Sequence, residues 1–333
     1  MEGINYNSFL LNIKSKYILE EVFAYIKQNR FLKIIQYNKE LQNKLNIVLY
    51  DYKMEFHKII IELTPKEELY GKFIKISKKT YKDFFHIYFN DNKEEIKRNY
   101  INKFDKVVKI KIIAEYPIKC LDILFKGCKC IKKINFIKFK RNDIKHISCM
   151  FRACSSLEEI NLSNFNTDNV TNMDGLFMGC SSLKKIGLSN FNTDNVKYMN
   201  NLFRGCSSLE YIDVSNFDTE SVINLSSMFR GCSSLKKIDV SNFDTESVTN
   251  ISGMFRECSS LKKIDLSNFV TERVTNMNSM FLFCHSLKEV VLTNFNINNK
   301  ISIYRMFCGC QEELQEKIKR DYPNLHKTAF EYW

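Results

Sequence analysis

The side chains best equipped for chemistry in this sequence are its cysteines. There are 12, and a thiolate can ligate zinc or enter a disulfide. Eight of them, Cys128, Cys154, Cys180, Cys206, Cys232, Cys258, Cys284 and Cys310, stand 26 residues apart without insertion or deletion. Identical residues on parallel strands recur about every 4.8 Å, which exceeds the usual disulfide Cβ separation of about 3.8 Å. The column therefore reads as small buried thiols stacked in a ladder. Cys128-x-Cys130 and Cys308-x-Cys310 mark its ends, and Cys120 and Cys149 lie outside it.

Other chemistry is sparse. The five histidines, His57, His86, His146, His285 and His326, have no HExxH or paired-ligand spacing, and His285 replaces the serine that usually follows the cysteine. No glycine-rich phosphate loop, nucleophile elbow or carboxylate pair stands out. The sequence is read as non-enzymatic, with no cofactor and no metal.

The elements around the cysteines repeat with them. Three residues before each stands Phe125, Phe151, Phe177, Phe203, Phe229, Phe255, Phe281 or Phe307, always preceded by Leu or Met. A second aromatic column runs through Phe139, Phe165, Phe191, Phe217, Phe243, Phe269 and Phe295. A period of this length marks a solenoid, whose units bury their apolar faces only by stacking. Within a unit, LKKIDVS alternates, with Ile238 and Val240 inward and Lys237, Asp239 and Ser241 outward, which predicts a short parallel strand. VTNISGMFREC spaces its apolar residues by three and four, which predicts a short helical or 3₁₀ turn, with Thr245 and Glu246 as caps.

The motif CSSLKKIDVSNFDTESVTNISGMF resembles the BspA-like class of leucine-rich repeats, known from bacterial surface lipoproteins and many protist proteins, over about 125–310. The resemblance implies an α/β repeat solenoid of 26-residue units with a parallel β-strand wall, and a role in binding or adhesion. Residues 101–127 fit the repeat weakly, through Val108, Ile110, Ile118 and Leu121, as a degenerate first cap; the array runs over 101–310. The amphipathic stretch Gln311–Arg320, ending before Pro323, predicts a C-terminal helical cap within 311–333.

Residues 1–100 form the expected N-terminal domain, small and mainly helical at its start. Ile18, Leu19, Val22, Phe23 and Ile26 make one helical stripe, and Phe31, Leu32, Ile35, Leu41 and Leu45 continue the pattern. Residues 15–45 resemble an F-box, although Ser15-Lys16-Tyr17 stands where a Leu-Pro start is usual. That resemblance implies docking to a Skp1-like adaptor and a substrate receptor for ubiquitin transfer. Residues 46–100 are mixed, with strand-like KIIIEL and KFIKIS.

With the core assigned, the variable outward positions carry the binding reading. On the strand wall these are Glu159, Lys185, Tyr211, Lys237 and Lys263, beside Asp213, Asp239 and Asp265. Tyr211 is the expected anchor, since aromatic residues dominate interface hot spots. A second pair of columns sets Arg152, Arg204, Arg230 and Arg256 against Asp168, Asp194, Glu220, Glu246 and Glu272, and salt-bridge rows would account for both.

The formal charge of +12 is concentrated in residues 101–150, which hold 13 basic and 4 acidic side chains. Lys on the solvent side of strands such as KVVKIKII accounts for it, and no aromatic-interleaved RNA motif accompanies it, so nucleic acid is the weaker partner reading. No run reaches the roughly 18 to 20 apolar residues of a membrane span, and the opening residues lack the order of a secretory signal. The expectation is a cytoplasmic recognition scaffold for a protein partner; a secreted or cell-surface adhesin and an F-box-type receptor are the alternatives.

Overall fold

The computed structural model describes residues 39–45, 57–76, 79–115, 118–139, 141–296, 301–323 and 325–331. The chain divides into two compact units, Met1–Lys58 and Ile59–Trp333. In the first, the helix α1 (Lys39–Leu45) buries Leu41. The helical stripe at 18–26 and most of the F-box-like stretch lie outside the described residues.

The second unit is mostly β, with few helices. It opens on a five-stranded sheet made of β1 (Ile59–Pro65), β3 (Phe85–Phe89), β5 (Ile110–Ala114), β6 (Ile131–Lys138) and β7 (Glu159–Asn161). Their spatial order is β3-β5-β1-β6-β7. The short pair β2 (Gly71–Lys72) and β4 (Tyr100–Ile101) runs antiparallel beside it. Alternation explains the strands: Ile59, Ile61 and Leu63 are wholly buried, as are Ile110, Ile112 and Ala114, while the residues between them are half-buried.

This arrangement alters two expectations. The division between units falls at Lys58/Ile59, where the sequence pointed to 100/101, because β1 sits centrally between β5 and β6. The first turn is also covered differently. A parallel ladder begins with an exposed strand edge that attracts other strands, and β1 closes it by pairing antiparallel with β6 from Ile60↔Lys138 to Pro65↔Ile131. Of the residues assigned to a cap at 101–127, Ile110, Ile118 and Leu121 are buried, but Val108 is 72% exposed.

From Cys120 onward the chain bonds to itself one turn ahead. Parallel bridges link Cys120↔His146, His146↔Asn172, Asn172↔Tyr198, Tyr198↔Asn224, Asn224↔Asn250, Asn250↔Asn276 and Asn276↔Ser302. Both aromatic columns and the eight cysteines are buried. Phe177, Phe203 and Phe229 stack with centroids 5.7 Å apart and planes within 9°.

The predicted helical turns are instead a stack of tight turns. Alternate N–H groups leave the segment: Phe177 donates to Leu202 O at 2.9 Å and Gly179 to Arg204 O at 2.6 Å, while Met178 and Cys180 donate within the turn. Two residues per turn have left-handed backbone, such as Asn201 (φ 57°) and Gly205 (φ 73°), and no α-helix continues through them. The column before each cysteine, at Gly179, Gly205 and Gly231, favours glycine for this reason.

The strand wall is discontinuous. Among the described residues it forms, besides β6 and β7, only at β8 (Lys263–Asp265) and β9 (Glu289–Val291), which pair in parallel. Residues 185–187, 211–213 and 237–239 are not strands. Beyond the repeats, the helix α2 (Glu312–Asp321) buries Leu314 and Ile318.

Candidate recognition surface

Three ladders of polar side chains hold the turns in register beneath the exposed positions. Thr193 is buried; its hydroxyl donates to Asp218 O at 2.8 Å and accepts from Asp218 N–H at 2.8 Å, and Thr245 clasps Val270 likewise. Thr245 is thus a staple between turns and not a helix cap. Asn216 Nδ2 reaches back to Leu188 O at 3.0 Å and Phe191 O at 2.7 Å, and Asn242 and Asn268 repeat the contact. Ser207 and Ser233 donate to the serine carbonyls one turn earlier. The asparagine column escaped the sequence reading, although its strict recurrence beside the second phenylalanine was the signal for it.

Where the strand wall loses its pairing, a groove of about 780 Å³ opens. Lys184, Lys185, Glu210, Tyr211 and Asp213 line it, over Ile186 and Ile212. Tyr211 is 53% exposed, and Lys236 and Lys237 place their ammonium groups 5.9 and 5.8 Å from its ring centroid. Lys236 also pairs with Glu210 at 2.6 Å; each holds the other's charge, raising the lysine's proton affinity and lowering the glutamate's. Among the described residues, the backbone N–H groups of 185–187, 211–213 and 237–239 have no hydrogen-bond acceptor.

All eight expected site residues are exposed or nearly so, but they do not form one site. Lys185, Tyr211 and Asp213 meet in the groove, and Lys237 lies over the ring. Glu159 instead pairs with Lys133 at 2.6 Å, and Lys263 with Glu289 at 2.8 Å. Asp213 accepts from the hydroxyl and then the backbone N–H of Ser215, and Asp239 and Asp265 accept from the backbone N–H of the serine two residues on, which keeps their carboxyls below the usual range.

The expected salt-bridge rows do not form. Among the described residues, no ion pair joins the arginine column to Asp168, Asp194, Glu220, Glu246 or Glu272. Asp168 accepts from Asn166 at 2.8 Å instead. Of the basic side chains in 101–150, Lys109 pairs with Glu62 and Asp91, and buried Arg141 with Asp143. No group of three or more His, Cys, Asp or Glu among the described residues is placed to hold a metal ion, and no helix among them is long and apolar enough to cross a membrane.

Fold and surface together define a repeat protein whose turns present exposed side chains on a uniform core. The chain belongs to the family described as "Mycoplasma protein of unknown function, DUF285", whose model matches residues 119–212 and 199–320. Among solved structures the chain is similar to a leucine-rich repeat protein from Bacteroides ovatus, at 20% identity and a TM-score of 0.30. That similarity covers 60% of this chain and 59% of the other, so the chain spans about three fifths of that protein's length. No curated protein matches. The family model begins well beyond residues 15–45, and none of these similarities supports the F-box expectation for that stretch.

Proposed function

We propose that this protein is a non-catalytic recognition scaffold, a leucine-rich-repeat solenoid of 26-residue units that binds a protein partner through the groove around Tyr211. The observation that carries the reading is one of contrast. The buried positions repeat almost unchanged from turn to turn, while the equivalent exposed positions along the wall change from Glu159 to Lys185, Tyr211, Lys237 and Lys263, and only the middle ones lie at the groove. Variable side chains on a fixed frame set specificity. Tyr211 combines a large exposed ring, flanking charges of both signs and neighbouring N–H groups with no acceptor, all of which a protein segment can use. A cytoplasmic setting belongs to the same reading.

Affinity capture on the tagged full-length chain, followed by mass spectrometry, tests it against a variant carrying Lys185→Glu, Tyr211→Ala and Lys237→Glu. Proteins held by the parent and lost by the variant, at an unchanged melting temperature, are the expected result. An identical set of proteins on both contradicts the reading.

A further inference from the structure

Away from the groove, Arg152, Arg204, Arg230 and Arg256 each stand two residues before a ladder cysteine, and Lys126 holds that position in the first turn. All are half-buried. Equivalent side chains on successive turns recur about every 4.8 Å, so Arg204, Arg230 and Arg256 crowd one another. Arg204 holds its proton less tightly than a free arginine, first because it is partly buried and then because Arg230 lies beside it.

Among the described residues a single carboxylate answers this row. Glu257 Oε1 lies 2.9 Å from Arg256 Nε and 3.4 Å from Arg230 Nη2. Arg204 reaches only the side-chain oxygen of Asn201, at 3.3 Å. Glu257 occupies the left-handed position before the cysteine, with φ 63°, where the two preceding turns have Gly205 and Gly231 at φ 73° and 72°. A Cβ added to Gly231 would meet Gly205 Cα at 3.5 Å and Glu257 Oε2 at 3.8 Å, ordinary contacts, and the left-handed φ of 72° strains any side chain there, as φ 63° already does at Glu257. The position between Arg204 and Arg230 therefore has room for a carboxylate that this chain does not supply.

We propose that Arg152, Arg204 and Arg230 take up the carboxylates of an extended acidic segment of a partner protein, in the manner in which Glu257 serves Arg230 and Arg256. Guanidinium forks match carboxylates in shape and charge. Alternate side chains of an extended segment project to one face about 6.6–6.8 Å apart, within reach of Arg204 and Arg230 on neighbouring turns, while Arg152 lies two turns from Arg204, about 9.6 Å, with Met178 in the position between. Protein is favoured over single-stranded nucleic acid because glycine and serine flank the row, at Gly205, Ser207, Gly231 and Ser233, and bases need aromatic platforms.

The probe is a fluorescein-labelled ten-residue peptide of alternating Glu and Ser, titrated by anisotropy into the full-length protein at low salt. Saturable binding is expected. Gly231→Glu places a carboxylate between Arg204 and Arg230 and weakens binding five-fold or more; Glu257→Gly releases Arg230 and Arg256 and tightens it at least two-fold. Tyr211→Ala leaves it unchanged, which separates this surface from the groove. Equal affinity for parent, Gly231→Glu and Glu257→Gly overturns the proposal, as does tighter binding of a ten-residue oligothymidylate that Gly231→Glu weakens equally. Self-association of the protein alone that Gly231→Glu abolishes would assign the row to a second copy and also overturn it.

Discussion

The thiol of Cys206 donates to the backbone carbonyl of Phe177 at 3.1 Å, from 29 residues further along the chain. The contact recurs from Cys154 to Phe125, Cys180 to Phe151, Cys232 to Phe203, Cys258 to Phe229, Cys284 to Phe255 and Cys310 to Phe281, at 2.9 to 3.2 Å. Cysteine is small enough for the stacked core and still offers a weak donor to a carbonyl in the turn before. The column ties consecutive turns together and is not arranged for reaction.

Burial pushes these thiols away from ionisation, Cys154, Cys232 and Cys310 up to about 12, and does the same to Cys130 outside the column, up to about 11. In the unfolded chain a thiol ionises near pH 8.5. A folded value above the unfolded one adds stability that is complete below about pH 8.5 and is lost as pH rises towards the folded value. Denaturant midpoints should therefore fall between about pH 8.5 and 12, and Cys232→Ser, which keeps a donor but does not ionise there, should show a shallower slope. An equal slope in parent and variant would exclude the thiol as a source.

Alkylation should discriminate among the same cysteines. In the native protein at pH 8, iodoacetamide should label the half-buried Cys120 and Cys149 and spare the buried column, whereas denaturant should open all 12. Mass spectrometry of the peptides gives the pattern directly.

Phe203 stacks between Phe177 and Phe229, wholly buried. Phe203→Ala should cost about 3–5 kcal/mol, because the rings on either side are held by their own turns and cannot close the cavity. Thr193→Val should cost about 1–3 kcal/mol by leaving both backbone groups of Asp218 without their partner, and Thr193→Ser should recover most of it. Chemical denaturation measures both.

Amide exchange should separate the two walls. Phe203 N–H, bonded to Met228 O at 2.8 Å, should exchange slowly, while the N–H groups of Lys185, Ile186, Tyr211 and Ile212, which lack acceptors, should exchange fast. Comparable protection on both walls would mean that the strand wall is closed in solution.

The core was legible in the sequence because one residue type at one spacing has one explanation: both phenylalanine columns and the cysteines recur with the apolar residues they pack against, and Leu314 and Ile318 mark α2 by their separation of four. The tight turns were not legible. Apolar spacings of three and four fit a helix equally well, and the left-handed residues include Cys149, Ser227 and Glu257 as well as glycines, so no residue type announces them. The cap was hidden for another reason: β1 pairs with β6 across some 70 residues, and local pattern carries nothing about so distant a partner. The eight residues named from the sequence are all exposed, yet only the structure separates Tyr211, which faces open groove, from Glu159 and Lys263, which pair with neighbours.

The most direct test of the groove reading is hydrogen exchange of the full-length protein with and without a captured partner. Binding at the groove predicts new protection at 184–187 and 210–213, lost in Tyr211→Ala together with roughly thirty-fold in affinity, the scale of a hot-spot aromatic. Protection that leaves both stretches unchanged, with parent and Tyr211→Ala binding alike, would contradict it.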